Sequence, residues 1–230
     1  MKVLAIDTSN YTMGVALLDG NTVIGEIITN LKKNHSVRLM PAVEQIMKEC
    51  GVKPNELEKI VVASGPGSYT GVRIGVTAAK TMAWALNIPI AGVSSLEVLA
   101  ANGSYFSGCI CPLFDARRQQ IYTGLYTYEH EKLKNVKEDR IILIEEWLNQ
   151  LKGRDEQILF VGNDVSIHKE MIREMLGEQA VFCTVSQYNP RPSELALLGL
   201  EKEAQPVHAF VPNYIRLAEA EANWLANQKQ

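Results

Sequence analysis

Three apolar runs fall within the first 28 residues, at 3–6, 14–18 and 23–28, and the turn Asp19-Gly20-Asn21 joins the last two. Asp-Gly between apolar runs is the strongest short-range hairpin signal. The period then changes. From 38 to 50 the apolar positions Leu39, Val43, Ile46, Met47 and Cys50 keep to one helix face, and Gly51 is a natural stop. A buried-strand pattern at 60–63 leads through a loop at 64–71 into a helical stretch at 72–86, a strand at 90–93 and a helix opening near Ser95. The order β-β-β-α-β-α-β restricts the fold sharply. An antiparallel trio extended by two crossovers predicts a mixed sheet covered by helices, hence an α/β unit.

Asn102-Gly103-Ser104 and Gly108 punctuate the chain and predict a boundary, with one lobe at 1–103 and a second, degenerate one at 104–230. The second lobe mixes strands at 110–114, 121–126, 141–144, 158–161 and 181–184 with helices around Trp147, over 166–176 and from Ser193. The Ala/Glu-rich stretch 218–227 is predicted to end the chain as a helix. A length of 230 residues suits two such lobes.

Charge and cysteine usage exclude several function classes. Lys plus Arg number 23 and Asp plus Glu 26, a net charge of −3 with no basic cluster, so unaided binding to a phosphate backbone is not expected. Cys50, Cys109, Cys111 and Cys183 match neither a zinc nor a redox spacing and read as reduced thiols. The first apolar run meets Asp7 too early for a signal peptide, and no run reaches a membrane span. A cytoplasmic chain with no membrane contact is expected.

Several segments could carry chemistry, and each has a purely structural alternative. Asp7-Thr8-Ser9 ends the first strand, where a carboxylate and two hydroxyls could hold a metal-bound phosphate or make a local Asx-type turn. Gly65-Pro66-Gly67-Ser68-Tyr69-Thr70-Gly71 runs from a strand end into a helix start. Such a loop can bind an anion or a partner, or can be a tight turn whose Thr70 caps the helix. It is neither a Walker A loop nor a nucleophile elbow. Gly71, Gly75, Ala78, Ala79 and Ala83 form a small-residue stripe that could admit a partner helix or pack on the chain's own sheet. The histidines, His35, His130, His168 and His208, form no metal-ligand spacing, and His35 reads as a capping or surface residue. Asp115-Ala116-Arg117-Arg118 could bind an anion, or form a solvated edge or an interdomain ion pair.

Read together, several segments resemble the TsaB (YeaZ) family over nearly the whole chain. They are residues 3–9, His35-Ser36 with Leu39-Met40-Pro41, residues 63–73, Asp115-Ala116-Arg117-Arg118 with Tyr122, and Pro212-Asn213-Tyr214-Ile215-Arg216. The resemblance implies an α/β, two-lobed acetate kinase/sugar kinase/heat-shock protein/actin-like (ribonuclease H-like) fold with mixed sheets. It implies an accessory subunit in tRNA threonylcarbamoyladenosine modification. There the threonylcarbamoyl group passes from threonylcarbamoyl-AMP to the adenosine next to the anticodon, and this chain would support the catalytic paralogue TsaD with the ATPase TsaE.

By the same resemblance, the metal-binding Asn-His-Leu-Glu-Gly-His of TsaD corresponds to Ser94-Ser95-Leu96-Glu97-Val98-Leu99. Both ligand histidines are missing, so no metal and no catalytic residue is assigned. Val161-Gly162-Asn163-Asp164 offers one glycine where the superfamily uses a pair against adenosine. No tightly bound cofactor is expected, and ATP, ADP and metal are assigned to partner subunits or a shared interface. Asp7, Thr8, Ser9, Gly65 and Gly67 are expected to be a vestigial phosphate or nucleotide contact. The family's dimer surface maps to His35, Leu39, Met40, Val43, Met47, Gly71, Arg73, Ile74, Gly75, Ala78, Ala79 and Met82. It would bind TsaD, or a second copy of the chain when TsaD is absent, and tRNA would be reached only through the complex. The rival expectation is a self-sufficient ATP-dependent small-molecule kinase or ATPase built on Asp7, Thr8 and Ser9. A metallopeptidase would need the absent ligands.

Overall fold

A computed structural model describes residues 1–31 and 34–215. The first sheet is built from β1 (Lys2–Asp7), β2 (Thr12–Asp19) and β3 (Thr22–Asn30), followed by helix α1 (His35–Glu49), β4 (Lys59–Ala63), helix α2 (Tyr69–Leu86) and β5 (Ile90–Val93). Its strand order is β3-β2-β1-β4-β5, with β1 antiparallel to β2 and parallel to β4. This is the mixed sheet the pattern predicted. β1 and β4 lie in its centre with both faces covered, which is why they read as unbroken apolar runs. The helices start earlier than periodicity placed them because caps set their ends. Asn34 accepts from Ser36 N at the start of α1, and at its end Gly51 (φ +65°) allows Gly51 N to donate to Lys48 O and Val52 N to Met47 O.

Helix α3 (Ser95–Ala100) leads to the second sheet, made by β6 (Cys109–Asp115), β7 (Gln120–Glu129) and β8 (Lys132–Leu143), helix α4 (Ile144–Leu151), β9 (Ile158–Val161), helix α5 (Val165–Leu176) and β10 (Ala180–Phe182). The order is β10-β9-β6-β7-β8. Trp147, Phe160 and Leu148 fill its core. β8 is much longer than the run at 141–144 because its first half is a polar edge strand. It is joined to β7 through His130 and Glu131, both with positive φ (+49° and +64°) but without the Asn or Gly that normally marks such a turn.

Helix α6 (Pro192–Glu201) corrects the predicted lobe division. Its Leu195 and Ala196 pack on Val3, Ala5, Ala16, Leu18, Val61 and Ala63, covering the face of the first sheet opposite α1 and α2. Phe210 also enters the first core. The chain therefore returns to the first lobe after completing the second, and residues 192–210 do not belong with the second sheet. The helix predicted at 218–227 lies outside the described residues.

Candidate functional site

β1 carries Asp7, Thr8 and Ser9 into the interior, where each is at most 1% exposed. Asp7 Oδ1 accepts from Ser9 N at 2.8 Å, while Asp7 Oδ2 and Ser9 Oγ find no hydrogen-bond partner among the described residues. Burial pushes the Asp7 carboxyl up, and the bond from Ser9 N and the charge of His35 pull it partly back. Thr8 Oγ1 donates to Gly71 O at 2.7 Å, and Ser68 N donates to Ser9 O at 2.7 Å. The 7–9 turn and the 65–71 loop, separate in the sequence, are thus one unit. A Cβ on Gly67 would stand 2.1 Å from Ser9 O and one on Gly71 2.2 Å from Thr8 O, so these glycines permit backbone contact. Gly65 (φ +106°) likewise lies against Asn213 O. The cap of α2 is Ser68, which accepts from Gly71 N at 3.3 Å, rather than Thr70.

Gly71, Gly75, Ala79 and Ala83 of the small-residue stripe are buried in the chain's own core, whereas Ala78 turns toward the surface. A Cβ on Gly75 would sit 2.6 Å from Thr8 Oγ1 and 3.7 Å from Ile6 and Val62. Gly71, Gly75 and Ala79 are buried there, and Leu39, Val43 and Met47 are core residues of the first lobe. Five of these, Val43, Met47, Gly71, Gly75 and Ala79, do not present a free interface, which corrects the predicted set, while Leu39, though buried, reaches the floor of a surface groove. Six others remain at the surface: exposed Met40 and Arg73, and half-buried His35, Ile74, Ala78 and Met82. All but His35 line an open apolar groove of about 700 Å³ between α1 and α2, with Leu39 at its floor and Thr77 and Thr81 on its wall. Val37 and Trp84, on the same helices, are 68% and 65% exposed. The interface set implied by the resemblance lacked Tyr69, Thr77 and Thr81, because a mapping onto whole helices does not say which face of each is left open.

A second cavity, a cleft of about 1050 Å³, lies between the lobes. His35, Ser68 and Tyr69 line it from the first lobe, and Arg117, Arg118 and Asp164 from the second. His35 Nε2 is 2.8 Å from Asn10 O. Asp115 Oδ1 lies 3.1 Å from His168 Nε2, Asp115 Oδ2 accepts from Arg117 N at 3.2 Å, and Asp164 Oδ2 accepts from Asp115 N at 2.9 Å. Burial, reinforced by the charge of Asp115, pushes the Asp164 carboxyl up. Arg117, Arg118 and Gln119 all adopt positive φ (+63°, +51° and +59°), a left-handed turn that carries both arginines to the cleft wall. Tyr69 and Tyr214 stack at 5.1 Å between cleft and groove, with Arg73 over the Tyr69 ring.

The segment 94–99 does not fit a metal ion. Ser95 and Leu99 are fully buried; Ser95 Oγ accepts from Gly65 N at 3.2 Å, and Leu99 is packed among Leu96, Ile110 and Phe114. No cluster of His, Cys, Asp and Glu suited to a metal occurs among the described residues, and no described helix is long and apolar enough to cross a membrane.

Comparison with known proteins agrees with this architecture. The family described as "TsaD: tRNA N6-adenosine threonylcarbamoyltransferase" matches residues 22–224. The tRNA threonylcarbamoyladenosine biosynthesis protein TsaB of Bacillus subtilis is 60% identical over 229 residues, covering 100% of both chains. The protein of the same name from Escherichia coli is 30% identical over 159 residues, covering 66% of this chain and 68% of that one. The structure of YeaZ from Pseudomonas aeruginosa superposes with a TM-score of 0.79 at 24% identity, over 93% of this chain and 99% of that one.

Proposed function

The chain belongs to the TsaB family, whose members are named for tRNA threonylcarbamoyladenosine biosynthesis, and from that premise we propose that it serves the pathway as a docking subunit rather than as the transferase. Its fold is the two-lobed, actin-like α/β fold of that family. The partner it supports is the catalytic paralogue TsaD, acting with the ATPase TsaE, and a second copy of the chain takes the same face when TsaD is absent. tRNA is reached through the assembly, since a chain of net charge −3 supplies little attraction for phosphates.

The apolar groove between α1 and α2 carries this reading. Met40, Ile74, Ala78 and Met82 leave an apolar strip open to water on two helices whose other faces are already buried in the core. A strip of this kind is costly to leave uncovered, and its helical walls suit helices of a partner. The absence of chemistry in this chain is supported by segment 94–99, where Leu99 offers no ligand atom and Ser95 is committed to Gly65 N. Weak or no binding of nucleotide by the isolated chain is supported at the head of α2, where the Ser68 hydroxyl already takes up the Gly71 N–H that a phosphate would use.

Thr77→Arg and Met40→Glu test the proposal, because both side chains are exposed and neither is part of the core. We expect both variants to keep the circular dichroism and melting temperature of the parent, to lose co-purification with TsaD and to lose tRNA modification in cells. A folded variant that no longer binds TsaD yet supports normal modification overturns the proposal.

A further inference from the structure

We propose that Asp139 is a latch that fixes the angle between the two lobes. The pairing of β7 with β8 steps from Thr123↔Arg140 to Leu125↔Lys137, so Glu138 and Asp139 together face the single residue Gly124. Such a bulge bends a strand and re-aims a side chain. Here it lays Asp139 across Gly124, where a Cβ would stand 2.5 Å from Asp139 Oδ1. Asp139 Oδ1 accepts from Tyr126 OH of its own sheet, and Asp139 Oδ2 accepts from Ser94 Oγ at the end of the first sheet.

Ser94 is the joint between the lobes. It follows β5 directly and caps α3, its Oγ accepting from Leu96 N at 3.2 Å and Glu97 N at 3.4 Å. α3 in turn packs Leu96, Leu99 and Ala100 on Ile110, Phe114 and Tyr126 of the second sheet. One hydroxyl therefore holds the first turn of the connecting helix and the carboxylate that the second sheet sends across. Among the described residues, the charge that acts on Asp139 is that of Glu97 of α3, which is itself paired with Lys202 Nζ at 2.9 Å.

A pivot for this latch lies where the chain passes between the lobes. Asn102 Nδ2 donates to Gln187 O and Asn189 O, both at 2.8 Å, tying the outgoing and returning segments together. Asn189 Oδ1 accepts from Thr12 Oγ1 of the first sheet at 3.0 Å and from Asn163 Nδ2 of the second lobe at 2.7 Å. With pivot and latch both made, the cleft keeps one width, and a partner meets a surface set in advance rather than one it must induce.

The test is a distance between spin labels at Lys53→Cys in the first lobe and Lys152→Cys in the second, both exposed positions, in the full chain carrying Cys50→Ser. The parent should give one narrow distribution. Ser94→Asp keeps a good helix cap but sets two carboxylates against each other. The distribution should broaden and shift to longer distances, and adding Asp139→Asn, which restores a donor to the pair, should narrow it again. Asp139→Ala gives a second reading that retains the Ser94 cap, should Ser94→Asp fail to fold. A distribution as narrow as the parent's in the folded variants overturns the latch, and so does a broadening that Asp139→Asn fails to reverse.

Discussion

Asp7 takes its carboxylate into a site where one oxygen has a backbone donor and the other has no partner among the described residues. Burial raises its folded-state pKa above the ordinary value of 3.8, so the folded chain holds this proton more tightly than the unfolded one. The associated stability is fully present below that ordinary value and is lost as pH rises through the folded pKa. Asp7→Asn should therefore raise the melting temperature at pH 8 relative to the parent, with the advantage shrinking as the pH falls to 4. Thermal melts at the two pH values check this. Gly75 shows the opposite sensitivity. A Cβ there would press on Thr8 Oγ1, already committed to Gly71 O, so Gly75→Ala should cost about 1–3 kcal/mol in denaturant unfolding. The sequence singled out Gly75, but spacing alone could not say which surface lay beneath it. That required knowing that Thr8 ends the strand below.

The central elements of the first sheet were legible because two-sided burial writes a strand as a continuous apolar run, and the change to helical period at α1 is abrupt. β8 was not legible in its first half. An edge strand spends alternate residues on water, and its left-handed turn at His130 and Glu131 uses neither glycine nor asparagine. The start of α2 was placed correctly only to within a few residues, since Ser68 and Thr70 are both plausible caps by type. The geometry separates them: Ser68→Ala should lower stability by about 1 kcal/mol, while Thr70→Ala should leave it nearly unchanged. Urea titration of the two variants decides. The exposed side of α1 and α2 was found only in part, through Leu39, Met40, Arg73, Ile74, Ala78 and Met82 as the resemblance implied them, because periodicity identifies a buried stripe more readily than a groove shared by two helices.

At the scale of the molecule, the predicted boundary at 103 divides the sheets but not the cores. Without α6, a fragment of residues 1–103 leaves Val3, Ala5, Ala16, Leu18, Val61 and Ala63 facing water. Such a fragment should bind a hydrophobic dye and show poor near-ultraviolet dichroism, and co-expression with residues 104–230 should restore both. Calorimetry of the whole chain with Mg-ATP should detect no micromolar binding; a strong signal abolished by Asp7→Ala would favour the kinase or ATPase reading. α6 was recognisable as a helix, but its destination was not. Nothing local in 192–201 records which of two sheets its apolar face will meet.

The homeward turn of α6 also orders events on the ribosome. The second sheet, complete by Phe182, has all its strands before Pro192 is made, whereas the sheet begun at Lys2 waits for α6 to cover its far side. At ordinary synthesis rates the residues from Val93 to Pro192 take roughly 5–20 s to appear. During that interval the nascent N-terminal half carries an uncovered apolar flank, so the part translated first is the last to mature and has the greater call on chaperones.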